Sequence, residues 1–185
     1  WAPGRIEFLG NHTDYNLGRV IGVTIDRGIE VAMRRRSDAK LVFDSLAAGR
    51  GRVETDIERD VPFDAGSPEF WLNYPLGVFR ILLREGMQCA TGADVMVWSD
   101  LPEGAGLSSS AALEIASALG FGRLFGFAFR DRDTLMRVGW RAEREYAGLP
   151  CGMLDQTTVI YGDVNRIVSI DCKKETSESL PFPEG

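Results

Sequence analysis

One stretch near the middle of the chain constrains its fold and chemistry more than any other. Residues 101–118 read Leu-Pro-Glu-Gly-Ala-Gly-Leu-Ser-Ser-Ser-Ala-Ala-Leu-Glu-Ile-Ala-Ser-Ala, a loop of small residues followed by a helix-forming run. Gly104 and Gly106 can take positive φ angles, and Ser108 to Ser110 can cap the helix. The N–H groups and dipole of a helix N-terminus favour a phosphate group. The stretch therefore predicts an anion-binding loop, with an ordinary serine-capped helix as the alternative.

Composition narrows the class of protein. The chain has 185 residues, 44% of them hydrophobic, which suits one globular domain with a real core. Its net charge is −6 and its longest basic cluster is Arg34 to Arg36, so nucleic acid is excluded as a main partner. The apolar run at 125–129 is too short to span a bilayer, and no signal peptide opens the chain. We expect a cytoplasmic monomer without a membrane partner.

The cysteines and the Gly-Ser loop match no common metal or nucleotide motif. Cys89, Cys151 and Cys172 are widely spaced and lack a paired Cys or His, so we interpret them as reduced thiols. The loop has no Gly-Lys-Ser/Thr at Walker spacing and no dinucleotide fingerprint.

Hydrophobic patterns predict an α+β fold. Strands are expected at 6–9, 20–31, 40–44, 52–57, 93–99 and 166–171, and the pair 40–44 and 52–57 is expected to form a hairpin. Helices are expected at 71–85, 109–125 and 132–146. The aromatic residues of the first helix are assigned to the core, and the helix 109–125 to a single buried stripe of Leu113, Ala116 and Leu124. The order of the elements favours a mixed sheet packed with helices rather than a doubly wound sheet.

Two further stretches concentrate polar groups. The first carries Arg5, Asn11, His12, Asp14 and Tyr15, which either bind a polar ligand or hydrogen-bond the loop to itself. The second, 147–156, is a Gly/Pro turn that delivers Asp155 to a helix start, where capping that helix is the alternative role for its carboxylate.

Taken in order, three stretches resemble the galactokinase branch of the GHMP small-molecule kinases. They are Ala-Pro-Gly-Arg followed by Leu-Gly-x-His-Thr-Asp-Tyr-Asn, then Leu-Pro-x-Gly-x-Gly-Leu-Ser-Ser-Ser-Ala, then Ala-Glu-Arg-Glu-Tyr-Ala-Gly-x-Pro-Cys-Gly-Met-x-Asp-Gln. The resemblance implies the GHMP kinase N-terminal fold, which is ribosomal protein S5 domain 2-like, over residues 1–185. The C-terminal Gly-rich motif of the family has no counterpart after Tyr161, so we expect a fragment with weak or no activity by itself.

The resemblance also implies a role for each matching residue. Asp155 and Arg5 take the catalytic positions, and Asp155 stays ionised beside the Arg5 cation to accept or orient the proton of a sugar hydroxyl. Ser110 and Glu143 take the Mg²⁺ positions, although without the resemblance the pattern favours Glu143 as an exposed helix residue paired with an arginine. Sugar contacts are implied for Arg5, Asn11, His12, Asp14, Gly152 and Asp155. ATP phosphate contacts are implied for Gly104, Ala105, Gly106, Leu107, Ser108, Ser109 and Ser110.

The chain departs from the galactokinase pattern at two positions. Asn11 stands where these kinases have Glu, and an uncharged amide makes weaker, differently polarised hydrogen bonds to a sugar hydroxyl. Glu7 stands where a smaller neutral residue is usual, and we have no physical account of it. The expected function is ATP-dependent phosphorylation of the anomeric hydroxyl of galactose or a close relative. The alternatives are a catalytically silent sugar sensor, which the intact Ser110-Ala111 pair disfavours, and a GHMP kinase for another small alcohol.

Overall fold

A mixed β-sheet carries the fold in the computed structural model, which describes residues 1–10, 13–46, 51–102 and 104–182. Within those ranges the strands are β1 (Ala2–Leu9), β2 (Arg19–Arg35), β3 (Lys40–Ser45), β4 (Arg52–Asp56), β5 (Ala93–Ser99), β6 (Arg166–Asp171) and β7 (Thr176–Pro181). The strand order is β4-β3-β5-β2-β6-β7, and β1 pairs with β2 outside this path. The β3–β5 pair is parallel and the other pairs are antiparallel.

Strand β2 is the organising strand because it pairs with three others. Its 17 residues are rich in the β-branched residues Val, Ile and Thr, which favour extended backbone. Thr24 lies opposite Arg5 of β1, Val31 opposite Val97 of β5, and Val20 opposite Ile170 of β6. This pairing brings the N-terminal strand into the same layer as the strand that precedes the Gly-Ser loop.

Helices cover one face of the sheet. They are α1 (Asn73–Arg84), preceded by a 3₁₀ turn at Phe70–Leu72, then α2 (Ser109–Phe125), α3 (Arg132–Glu145) and α4 (Leu154–Tyr161). On β5, Val95 and Val97 are buried whereas Met96 and Trp98 are 46% and 44% exposed, so the opposite face of the sheet meets solvent. Among the described residues no helix is both long and apolar enough to cross a membrane.

The predicted elements are confirmed, including the hairpin of β3 and β4, whose linking residues 47–50 lie outside the described ranges. Strand β7 was not predicted, because its Thr-Ser-Glu-Ser segment lacks apolar alternation. It is an edge strand paired only with β6 among the described strands, so it needs no buried face.

The single buried stripe predicted for α2 is wrong. Every residue from Ala111 to Ala118 is buried, because this helix packs against β1, β2, α1, α3 and α4. Small alanine side chains let those elements approach from several sides. The burial includes Glu114 and Ser117, both 0% exposed.

Candidate functional site

The Gly-Ser loop lies directly against strand β1. The N–H of Arg5 donates to the carbonyl oxygen of Leu107 at 3.1 Å. A Cβ atom at Gly4 would stand 2.6 Å from Leu101 Cδ2 and 3.1 Å from the Leu107 oxygen. A glycine at this position therefore permits the close approach of loop and strand.

The Arg5 side chain joins the loop to the start of α4. Its Nη1 donates to the carbonyl oxygen of Gly106 at 2.7 Å, while Nε and Nη2 donate to Asp155 Oδ1 at 2.8 and 2.6 Å. The Arg5 side chain is 10% exposed and that of Asp155 is 24% exposed. The structure thus brings together the two residues predicted to be catalytic, which are 150 positions apart.

Ser108 completes this arrangement in a way the sequence did not predict. It precedes α2 with φ 52° and ψ 50°, in the left-handed region, and its side chain makes no capping hydrogen bond. Its hydroxyl instead donates to Asp155 Oδ2, so the capping role expected for Ser108 is wrong. The alternative capping role for Asp155 is also not observed, since α4 has no side-chain cap bond and Asp155 lies within its first turn.

The loop has the backbone shape expected for an anion seat. Gly104 and Gly106 have φ angles of 69° and 67°, as predicted. The carbonyl oxygen of Ser108 accepts from Ala112 N–H at 3.0 Å, which starts α2. The N–H groups of the first turn before Ala112 have no acceptor within the helix by the geometry of an α-helix, and they lie at its positive end.

A cavity of about 540 Å³ opens beside this loop. Its polar side includes Gly104, Ser109 and Ser110. Aromatic residues line its other side: Phe70, Trp71 and Tyr74. Trp71 was expected in the core and is only 6% exposed, yet with Tyr74 it also forms this wall. The cavity therefore combines the loop predicted to bind an anion with flat apolar surfaces, which a planar ring can pack against.

The predicted sugar-contacting residues are described only in part. Asp14 lies against Gly152, where an added Cβ atom would stand 2.2 Å from Asp14 Oδ2. The structure thus brings these two residues together from loops far apart in the sequence. Asn11 and His12 lie outside the described residues.

Behind Asp155, a buried polar cluster links α2, α3 and α4. Gln156 Nε2 donates to Glu114 Oε2 at 2.8 Å and to Glu143 Oε2 at 2.7 Å. Glu143 is 5% exposed, so the alternative of an exposed helix residue paired with an arginine is wrong. Burial first, and then the charge of Glu143, raise the pKa of the Glu114 carboxyl well above its usual value.

Sequence reasoning gave no role to Glu114 or Gln156. A usable signal was present, because Glu114 is the one charged residue in the otherwise small and apolar run 111–118. A carboxyl at such a position is buried and needs a partner.

The thiols follow the prediction. Cys89, Cys151 and Cys172 are free. Burial, followed by the charge of Glu143 and a hydrogen bond to it, raises the pKa of the Cys151 thiol. Cys151 is thereby held as a neutral thiol, not a reactive thiolate.

The predicted metal ligands fit Mg²⁺ by the chemistry of their donors. One hydroxyl and one carboxylate suit an ion that keeps several water and phosphate oxygens. Ser110 lines the cavity, whereas Glu143 is not among its lining residues. Across the described ranges no group of three or more His, Cys, Asp or Glu side chains could hold a metal ion.

Arg5 thus joins a glycine- and serine-rich loop to a carboxylate in α4. The sequence profile described as "GHMP kinases N terminal domain" matches residues 73–163, and the "Galactokinase galactose-binding signature" matches residues 1–35. The chain belongs to the galactokinase branch of the GHMP kinase family.

Known relatives agree with this placement. A galactokinase of Streptococcus mutans is 34% identical over 186 residues, covering 100% of this chain and 47% of the relative. One from Streptomyces coelicolor is 37% identical over 181 residues, covering 98% and 46%. The chain thus spans about half the length of the curated relatives it matches.

Solved structures share the fold. A galactokinase of Lactococcus lactis, crystallised with galactose, superposes with a TM-score of 0.86 at 32% identity, covering 97% of this chain and 46% of that one. The mevalonate kinase of Methanococcus jannaschii gives a TM-score of 0.78 at 17% identity, covering 100% and 55%, which shows a common fold alone.

Proposed function

We propose that residues 1–185 form the ATP- and sugar-binding domain of a kinase that phosphorylates the anomeric hydroxyl of galactose or a close relative. The observation that carries the proposal is the contact of Arg5 with both the Gly-Ser loop and Asp155. The loop proposed to bind phosphate and a carboxylate thus lie on the same arginine, and phosphoryl transfer to a hydroxyl requires both parts.

In the proposed reaction, the oxygen of the anomeric hydroxyl bonds to the γ-phosphorus of ATP, and Asp155 accepts the proton of that hydroxyl. The bond between the γ-phosphorus and the bridging oxygen breaks, and that oxygen leaves with ADP. Arg5 holds Asp155 Oδ1 and so fixes the direction of the carboxylate. Its cation also offsets negative charge at the transferring phosphoryl group.

The nucleotide is proposed to lie along the cavity beside α2. Its phosphates bind the backbone and hydroxyl groups of residues 104–110, and its base packs on Trp71 and Tyr74 in the aromatic wall. Ser110 and Glu143 are proposed to hold Mg²⁺, which when bound neutralises phosphate charge.

The sugar is proposed to bind between Asp155 and the loop that carries Asn11, His12 and Asp14, with Gly152 at its edge. The contact of Asp14 with Gly152 supports this placement. Because residues 1–35 match the galactokinase galactose-binding signature and the similar proteins are named galactokinase, galactose is the first substrate to test. ATP and the sugar are the proposed partners, and the protein is proposed to be a cytoplasmic monomer.

The test is a substrate screen with the complete gene product that carries this chain. Phosphate transfer from ATP to galactose, galactosamine, N-acetylgalactosamine and arabinose would be measured at equal concentrations. We expect turnover of galactose or one near relative. Absence of turnover with every sugar by a folded protein overturns the kinase proposal, and binding of ATP and sugar without transfer identifies a sensor.

A further inference from the structure

Both oxygens of Asp155 are already engaged by protein donors. Oδ1 accepts two hydrogen bonds from Arg5, at 2.8 and 2.6 Å, and Oδ2 accepts one from the Ser108 hydroxyl. A carboxylate offers about four acceptor positions, so three are occupied. The oxygen that faces away from Arg5 is therefore the one a sugar hydroxyl must use, and Ser108 already bonds to it.

Ser108 belongs at the same time to the anion loop. It is the residue at which the loop turns into α2, and its carbonyl oxygen accepts the bond that starts the helix. Its φ of 52° lies in the left-handed region, which is unfavourable for a residue with a Cβ atom. Gly126, at the other end of α2, reaches a similar φ of 74° as a glycine. From this backbone conformation the Ser108 hydroxyl bonds to Asp155.

A serine hydroxyl has one hydrogen and can donate it to one acceptor at a time. Ser108 has a carboxylate oxygen within reach, and a phosphate seated on the loop would offer it a second anionic acceptor. Bonding to the phosphate requires the hydroxyl to leave Asp155 Oδ2. The nucleotide phosphate and Asp155, the proposed acceptor of the sugar proton, thus compete for the single hydrogen of the Ser108 hydroxyl.

We propose that Ser108 couples the nucleotide site to the sugar site by moving its hydrogen bond from Asp155 to a nucleotide phosphate. The proposal rests on the kinase function proposed above and names a residue that acts through Asp155. Without nucleotide, Ser108 and the sugar hydroxyl share Oδ2, and the Ser108 bond makes that oxygen a weaker acceptor for the sugar. With nucleotide bound, Oδ2 accepts from the sugar alone and the sugar binds more tightly.

The coupling has a thermodynamic consequence. Nucleotide binding removes the Ser108 bond from the oxygen that the sugar uses, and sugar binding weakens the Ser108–Asp155 bond that the nucleotide must break, so each ligand lowers the cost of binding the other. Such coupling is reciprocal for binding free energies. It disappears when residue 108 has no hydroxyl, because no bond from residue 108 to Asp155 then competes with either ligand.

The test compares wild type with Ser108→Gly, which removes the hydroxyl and suits the positive φ. Calorimetry on the complete gene product would measure the dissociation constant of galactose with and without a non-hydrolysable ATP analogue. For wild type we expect the analogue to tighten galactose binding by about tenfold, equal to about 1.4 kcal/mol. For Ser108→Gly we expect galactose to bind tightly without the analogue and the factor to fall below about twofold.

Ser109→Ala is the matched control, since Ser109 lies in the same loop and its side chain bonds to no Asp155 oxygen among the described contacts. It should weaken the analogue and preserve the coupling. Equal weakening of galactose binding by Ser108→Gly with and without the analogue overturns the proposal and leaves a static positioning role. The proposal is also overturned if the ATP analogue tightens galactose binding by the same factor in Ser108→Gly as in wild type, or if it does not tighten galactose binding in wild type. Wild type that binds neither ligand instead refutes the kinase function.

Discussion

Asp155 and Gln156 follow one another in α4 and face opposite surroundings. The Asp155 side chain is 24% exposed and bonds to an arginine and a serine beside the cavity, whereas Gln156 is 0% exposed and bonds to two carboxyl groups between helices. A helix rotates about 100° per residue, so neighbouring side chains can serve an open site and a closed core. The difference teaches that one short helix can carry the proposed chemistry on one side and its structural support on the other.

Replacing Asp155 should give the largest effect, and that effect should be a lower catalytic rate. We expect Asp155→Asn to lower kcat by about 10²–10⁴-fold, because an amide cannot accept the hydroxyl proton. The Arg5 bond to Gly106 remains available, so the thermal midpoint should shift little. Steady-state kinetics and thermal unfolding of the complete gene product give the two numbers.

Asp163→Asn is the control for charge, since Asp163 is exposed just beyond α4. Full activity in Asp155→Asn would contradict the assigned role of this carboxylate.

Replacing Gln156 should lower the stability of the fold. Gln156→Leu keeps the approximate volume but leaves two buried carboxyl groups without their shared donor, and we expect a loss of about 3 kcal/mol in the free energy of unfolding. Urea denaturation followed by intrinsic fluorescence measures the loss.

Gln88→Leu provides the comparison, because Gln88 is exposed and its side chain donates to the nearby Gly86 carbonyl. If Gln156→Leu were as stable as Gln88→Leu, the buried cluster would have no role in holding the helices together.

The smallest effect should be a change in the pH dependence of stability. The pKa of Glu114 is raised on folding, chiefly by burial, so the folded state binds more protons than the unfolded state above pH 4.5. The stability contributed by protonated Glu114 is present below that pH and is lost as pH rises. Glu114→Gln removes this dependence. As pH rises, its free energy of unfolding should therefore increase relative to that of wild type, by about 1.4 kcal/mol for each unit by which folding raises the pKa of Glu114.

Urea denaturation at several pH values between 4.5 and 8, with EDTA present, measures this gain. A constant difference between Glu114→Gln and wild type across that range would show that Glu114 has the same pKa in both states.

Much of the fold could be predicted because its signals are local. The alternating apolar residues of β5 and the three- and four-residue spacing of α1 and α3 each predicted the observed element. Strand β7 lacked such a pattern, since an exposed edge strand needs no apolar face. The environment of α2 was also missed, because alanines do not show how many elements pack around them.

The proposed site divides in the same way. Glycines at 104 and 106 predicted the positive φ angles of the loop. The three motifs predicted which residues belong to one site. The pairing of Arg5 with Asp155 was implied by the resemblance, whereas the other partners were not predicted. Ser108 was expected to cap α2 and bonds to Asp155, and Glu143 read from its helix alone was an exposed salt-bridge residue but is buried against Gln156.

The sequence by itself determined the order of the elements, the glycine- and serine-rich loop before α2 and the family to which the chain belongs. Only the tertiary structure decided that Ser108 bonds to Asp155, that Gln156 bridges two carboxyl groups and that aromatic residues before α1 face the loop. The physical reason is sequence distance. Backbone propensity and periodicity act over a few neighbouring residues, whereas Arg5 meets Asp155 across 150 positions only because β2 and α2 pack them together.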